Sequence, residues 1–215
     1  SDAALFGLLA DPVEITKTIY ELNEQQVSLI KAPDGVSNDH PVKIDKAALV
    51  QALSEVRFWK GGGVFRDDEQ TQLFPGRMAE ALGSYMSDAF AQASPSEDVY
   101  FVVRGYGRVA LGMGKERFWN SGRAFYQDGR LNIIIGEHGK IEKKDQRLIE
   151  GAFGITESEE GRKTYTFSPG SRDSESSVNG EVVVANGISI KTVDGEPRED
   201  WILINVDEAA RAYAE

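Results

Sequence analysis

The alternation of apolar and polar positions divides the chain into a strand-forming start, a helical middle and a strand-rich second half. Residues 2–10 (DAALFGLLA) predict a short helix with Asp2 near its N-cap, closed by Asp11-Pro12. Residues 13–20 alternate, with Val13, Ile15 and Ile19 among polar neighbours, and together with Gln26–Ile30 they predict two strands. Thr16 and Thr18 favour strand over helix there. Residues 32–41 (APDGVSNDHP) are turn chemistry throughout and read as a loop. Asp45 then looks like an N-cap, and Leu49, Leu53 and Val56 fall on one face of a helix over 46–56. Gly61-Gly62-Gly63 breaks the pattern, and residues 64–74 read as a mixed loop. Pro75 sits where a first-turn proline would, and Met78, Leu82, Tyr85, Met86, Ala89 and Phe90 make an apolar stripe that runs to about residue 93.

From there the period shortens to two. Val99–Val103 is apolar on both faces, as a central, covered strand would be. Residues 117–127 and 130–135 flank Asp128-Gly129, a strong hairpin signal because a type I′ turn needs positive φ at both positions. In that register Tyr126 faces Leu131 and Ala124 faces Ile133. Ile141–Phe153 reads as a charged, weak helix, and Ser168–Glu181 (SPGSRDSESSVNGE) as an exposed, mobile loop. Val182–Ala185 and Ile188–Lys191 flank Asn186-Gly187, a second predicted hairpin. Trp201–Val206 reads as a further strand and Asp207–Ala214 as a terminal helix capped by Asp207. Helices and strands do not alternate regularly, which argues against a doubly wound parallel sheet. The expected class is α+β: an antiparallel or mixed β-sheet with two central helices packed on one face and a strand-rich C-terminal half. A single domain over 1–215 is the first expectation, with residues 155–206 as a candidate β-rich subdomain.

Composition then removes whole classes of chemistry. The 215 residues contain no Cys, so disulfides, thiolate nucleophiles and Cys-ligated metals are out. Two well-separated His, His40 and His138, leave little for a His-based metal site, and no cofactor or metal is expected. The net charge of −11 argues against nucleic acid as a partner. No apolar run approaches the roughly 18 residues of a membrane span. The chain opens on Ser1-Asp2, which fits a removed leader or an expression scar. With the absence of Cys this points to the periplasm or cell envelope, the cytoplasm being the alternative. A lipidated Cys just upstream of Ser1 would make the protein a lipoprotein and give its one route to a membrane.

Five constellations were weighed for chemistry. Gly105-Tyr106-Gly107-Arg108-Val109-Ala110 matches G-x-G-x-x-A after a predicted strand, but Gly112 and Gly114 disfavour the helix that dinucleotide binding requires. Gly112-Met113-Gly114-Lys115-Glu116 fails the phosphate-loop pattern, because Val109 and Glu116 stand where Gly and Ser/Thr belong. Glu137 and His138 follow an apolar strand and could present a general acid or base, although the flanking Gly136 and Gly139 suggest a solvated turn. The Ser-rich loop 168–181 is a candidate to order on a partner.

The fifth is the strongest. Between Val99 and Ile135 stand six Arg and Lys against Glu116 and Asp128, a net +4 that leaves −15 for the rest of a chain at −11. Aromatic residues are interleaved with these cations, a mixture that binds anionic or sugar-containing polymers by charge, stacking and cation–π contact. The candidate binding residues are Arg104, Trp119, Arg123, Phe125 and Arg130, a surface if their face of the sheet is open and core if it is covered. The expected function is that of a non-enzymatic bacterial envelope protein, a binding or assembly factor for a protein or glycan partner. The alternative is a hydrolase of glycan or peptide using paired carboxylates. Nucleotide or phosphate binding at 105–115 is the distant third.

Overall fold

The computed structural model describes residues 13–59, 70–108, 115–141 and 167–212. The predicted helices over 2–10 and 141–153 lie outside these residues, apart from Ile141, which ends a strand. Among the described residues the fold is α+β, a mostly antiparallel sheet with three helices. Its elements in chain order are β1 (Ile15–Leu22), β2 (Gln25–Lys31), α1 (Lys46–Ser54), β3 (Arg57–Trp59), β4 (Gln70–Gln72) and α2 (Arg77–Gln92). Then come β5 (Glu97–Arg108), β6 (Lys115–Gln127), β7 (Arg130–Ile141), β8 (Glu181–Val182), β9 (Ile188–Val193), β10 (Glu196–Ile204) and α3 (Val206–Arg211). Seven strands form one sheet in the order β1-β2-β5-β6-β7-β10-β9, and β4-β3-β8 form a small second one. Every pairing is antiparallel.

Local chemistry explains most of the turns. β1 and β2 are joined at Asn23-Glu24 and β6 and β7 at Asp128-Gly129, with positive φ at all four residues. The second turn gives the expected register, Ala124 opposite Ile133 and Tyr126 opposite Leu131. Asp45 caps α1 by accepting from the Ala48 amide.

Other expectations need correction. Pro75 is not the first helical residue: Gly76, at φ 56°, occupies the N-cap of α2. Within the stretch read as loop, Gln70–Gln72 pairs with β3. Asn205, not Asp207, caps α3, its side chain accepting from the Glu208 amide. The predicted hairpin at Asn186-Gly187 is only a tight turn carrying the bridge between Ala185 and Ile188. The hairpin instead joins β9 to β10 through Asp194-Gly195, at φ 52° and 87°. Gly187 is held beneath α3, where an added Cβ would meet the Ala209 amide at 2.5 Å. Upstream, Val182 pairs with Phe58 of the small sheet.

The two faces of the large sheet are covered differently. Val27, Leu29, Val99, Phe101, Ile133 and Ile202 belong to the main core, which is shared with the buried faces of α1, α2 and α3. On the opposite face Trp119, Tyr100, Val102 and Ile30 form one small cluster, and Phe125, Ile134, Trp201 and Leu203 another. Between and above them runs the segment 167–180. It was expected to be an exposed, mobile loop; several of its side chains are exposed, but its main chain is a strap bound to the sheet by side-chain hydrogen bonds. Tyr100 Oη donates to the Phe167 carbonyl, and Ser121 Oγ to that of Ser168. Arg198 donates to the carbonyls of Ser171, Arg172 and Ser174. Gly136 lets the strap lie directly on β7, because a side chain there would run into the Ser168 carbonyl. Hydropathy does not show such a strap: its main chain, not its side chains, makes most of these contacts.

Candidate binding surface

The antiparallel register of β5 and β6 decides which candidate residues meet. Arg104 stands opposite Trp119, Tyr106 opposite Arg117, and Tyr100 opposite Arg123. Side chains alternate along each strand, so these residues project from the face away from the helices.

At the distal end of that face, the Arg104 guanidinium lies 5.6 Å from the Trp119 ring centroid and 5.8 Å from that of Tyr106. Trp119 is buried and leans on Phe167, their ring centroids 5.0 Å apart. Tyr106, by contrast, is 57% exposed. The Arg104 main-chain amide donates to Gln25 Oε1, which ties β5 to the β1–β2 turn at this level. The Arg104 side chain makes no ion pair or hydrogen bond to any of the described residues. This leaves a cation beside aromatic rings and unmatched by any acid among the described residues.

Nearer the centre of the sheet the arginines serve the fold. Asp98, fully buried, accepts at Oδ1 from Asn38 and Arg172, and at Oδ2 from Arg123 and Arg172. Arg123 also donates through Nε to the Gly170 carbonyl at 3.1 Å. Phe125 is fully buried, with the Arg172 guanidinium 3.7 Å above its ring and Trp201 edge-on at 5.8 Å. A second buried pair, Arg198 with Asp200, fastens the middle of the strap, where Asp200 also accepts from the Ser176 amide.

The five candidate residues therefore separate into three places. Arg104 and Trp119 are in contact. Arg123 and Phe125 are joined through Arg172 beneath the strap. Arg130 is exposed at the β6–β7 turn, opposite Gln127 and away from both groups. Tyr106, Arg172 and Arg198 were not singled out from the sequence. Tyr106 was visible only as one aromatic among many, and Arg172 as one cation in a Ser-rich stretch.

The remaining candidates resolve as follows. Gly105 and Gly107 lie within β5, opposite Phe118 and Glu116, rather than at the helix start that phosphate binding needs. Residues 109–114 lie outside the described residues. Glu137 and His138 are not in a solvated turn but within β7. Glu137 pairs with Lys140 at 3.0 Å. His138 packs on Phe58 and accepts the Asn179 amide at Nδ1; burial pushes its pKa down to about 4, so the ring is neutral at pH 7. His40 is also lowered by burial, accepts the Tyr126 amide at Nε2 and faces the Ser94 carbonyl with Nδ1. Each imidazole thus serves as a main-chain acceptor and joins two segments.

Among the described residues no cluster of His, Asp and Glu could hold a metal ion. No helix among them is long and apolar enough to cross a membrane. No family model, curated protein or solved structure matches the chain.

Proposed function

We propose that this protein is a non-enzymatic binding or assembly factor of the bacterial cell envelope, and that it engages its partner with the Arg104–Tyr106 end of the large sheet. The observation that carries this reading is Arg104. Its guanidinium lies within cation–π range of a buried and an exposed aromatic ring and has no acidic partner among the described residues. Arg123 and Arg198, by contrast, are each paired with a buried carboxylate. One that offers its donor fork beside an exposed tyrosine is arranged for an incoming acceptor. The envelope reading is supported by the absence of Cys.

The test is fractionation of the native host, followed by sedimentation of the purified protein with isolated envelope material. Arg104→Ala and Tyr106→Ala are each expected to reduce co-sedimentation about tenfold with melting unchanged. Protein confined to the cytosol, or sedimentation indifferent to both substitutions, overturns the proposal.

A further inference from the structure

We infer that the strap end and β8 are held to the large sheet by an acid-sensitive latch at His138, whose protonation frees them from β7 while that sheet stays folded. The position of the imidazole carries this.

His138 stands on β7 where three parts of the molecule meet. Its ring packs on Phe58 of β3, the middle strand of the small sheet, with centroids 4.6 Å apart. Its Nδ1 accepts the Asn179 amide of the strap at 3.0 Å, and its carbonyl accepts from Asn179 Nδ2 at 2.6 Å. Gly139 follows at φ 64°, and a Cβ there would meet Asn179 Nδ2 at 3.2 Å, so the strap end lies close against the strand. Just past Asn179 the chain enters β8, which pairs with β3 through Val182 opposite Phe58 and Glu181 opposite Trp59.

This stretch leans on its polar bonds. From Ser177 to Val182 the apolar side chains are Val178 and Val182, and Val178 is only partly buried. Upstream, the strap is pinned by Arg172 on Asp98 and by Arg198 on three carbonyls. Those bonds use guanidinium donors and leave a fixed point about which the end can move.

An imidazole accepts at Nδ1 only while that nitrogen carries no proton. Once protonated, it turns a second donor on the Asn179 N–H and the bond is lost. The surrounding elements do not compensate the cation. Arg57 of β3 is paired with Glu55, and Glu137 with Lys140 on β7 itself. Glu199 of β10 accepts the Val182 amide, Glu175 of the strap accepts the Glu199 amide, and Glu181 of β8 is exposed. Burial is the cause of the low His138 pKa, about 4. In the freed end the ring meets water and titrates near its ordinary value of about 6.5. Opening therefore takes up a proton, and it grows as the pH falls through 6.5 toward 4.

Amide hydrogen exchange of the folded full chain at pH 7 and pH 5, corrected for the intrinsic rate at each pH, tests this. The opening constant at the Asn179 and Val182 amides is expected to rise about twentyfold at pH 5. Low urea is expected to leave that exchange unchanged, as in a local opening, while it accelerates exchange at Phe101 and Ile133 in the central strands. In His138→Asn the side-chain oxygen can accept from Asn179 without titrating, and the rise is expected to vanish. Glu199→Gln keeps an acceptor for Val182 and is expected to retain the rise. Four outcomes overturn the inference: no rise in the parent, a rise that persists in His138→Asn, a rise abolished by Glu199→Gln, or exchange at Asn179 and Val182 with the urea dependence of the central strands.

Discussion

The two faces of the seven-stranded sheet are stabilised by different physics. The helix side is sealed by apolar surface, with Phe101, Leu29, Ile133 and Ile202 of the sheet meeting Leu49, Leu53, Leu82 and Met86 of α1 and α2. Each such side chain contributes about 1.5–3 kcal/mol on leaving water, and the attraction has no direction. The strap side is sealed by a polar main chain whose carbonyls are taken by Tyr100, Ser121, Arg123 and Arg198. Its aromatic rings serve as platforms on which guanidinium groups lie, as Arg172 does on Phe125. The first face depends on volume and the second on complete pairing. A non-directional core accepts a changed shape; a buried ionic cluster does not accept a missing charge.

The largest expected effect separates these two rules. Asp98→Asn changes almost no volume but leaves Arg123 and Arg172 sharing a neutral acceptor. It is expected to cost about 3 kcal/mol in urea unfolding, near the range for breaking a buried pair. Leu82→Met, which also conserves volume but on the helix side, is expected to cost less than about 1.5 kcal/mol. Equal costs would mean that the strap-side cluster is no more demanding than ordinary packing. Protease cleavage within 167–180 should rise in Asp98→Asn and stay unchanged in Leu82→Met, because only the first loosens the strap.

The same contrast explains what could be read from the residues alone. The helix side was legible because it obeys a period: Leu49 and Leu53 in α1, the Met78–Phe90 stripe in α2, and the alternation around Asp128-Gly129. The class and the β6–β7 register followed from it. The strap side has no period. Arg172 lies 74 positions from Asp98, and nothing near either residue announces the other. Among turns, Asn186-Gly187 and Asp194-Gly195 carry similar signals, yet only the second closes a strand hairpin. The first is tucked under α3, whose Asn205 amide donates to the Gly187 carbonyl. That choice is tertiary and invisible locally. Of the five candidate residues, Arg104 and Trp119 meet through the β5–β6 register, a pairing that the residues alone did not announce. The burial of Arg123 and Phe125 depended on a cover that hydropathy assigns to solvent.

A second, smaller effect concerns where strap and sheet are joined by a titratable group. His138 is held neutral, its pKa lowered to about 4 by burial, and Nδ1 accepts the Asn179 amide. In the unfolded chain the imidazole titrates near its ordinary value of about 6.5. Between those values the unfolded state binds the extra proton. Stability is therefore complete above about pH 6.5 and falls as the pH drops toward 4. The loss between pH 7 and pH 5 is expected to be about 2 kcal/mol. In His138→Asn the side-chain oxygen can still accept from the Asn179 amide but does not titrate. Urea midpoints at pH 7 and 5 should lie closer together in that variant than in the parent, with the lowered His40 keeping part of the slope; a pH slope equal to the parent's would assign the whole effect elsewhere.

The smallest effect sharpens the comparison most, because it compares two arginines on the same face of the sheet. Arg123 and Arg104 project from adjacent strands, and both were drawn from the same basic, aromatic stretch. Arg123 is bonded to a fully buried carboxylate and to the strap, whereas among the described residues the Arg104 side chain contacts rings alone, one of them largely exposed. Arg123→Gln leaves Asp98 with Arg172 as its one cation, beside the Asn38 amide, and is expected to cost about 2 kcal/mol. Arg104→Gln removes a half-exposed cation–π contact and is expected to cost no more than about 1 kcal/mol. Denaturation curves of the two variants therefore assign each arginine to the fold or to the surface without knowledge of the ligand. If Arg104→Gln proved as costly as Arg123→Gln, Arg104 would be a structural cation braced by Trp119, and the case for a binding role at this end would lose its main support. If it is nearly silent in stability, an arginine beside two rings and opposed by no described acid contributes little to folding, and its contribution has to be sought in what it binds.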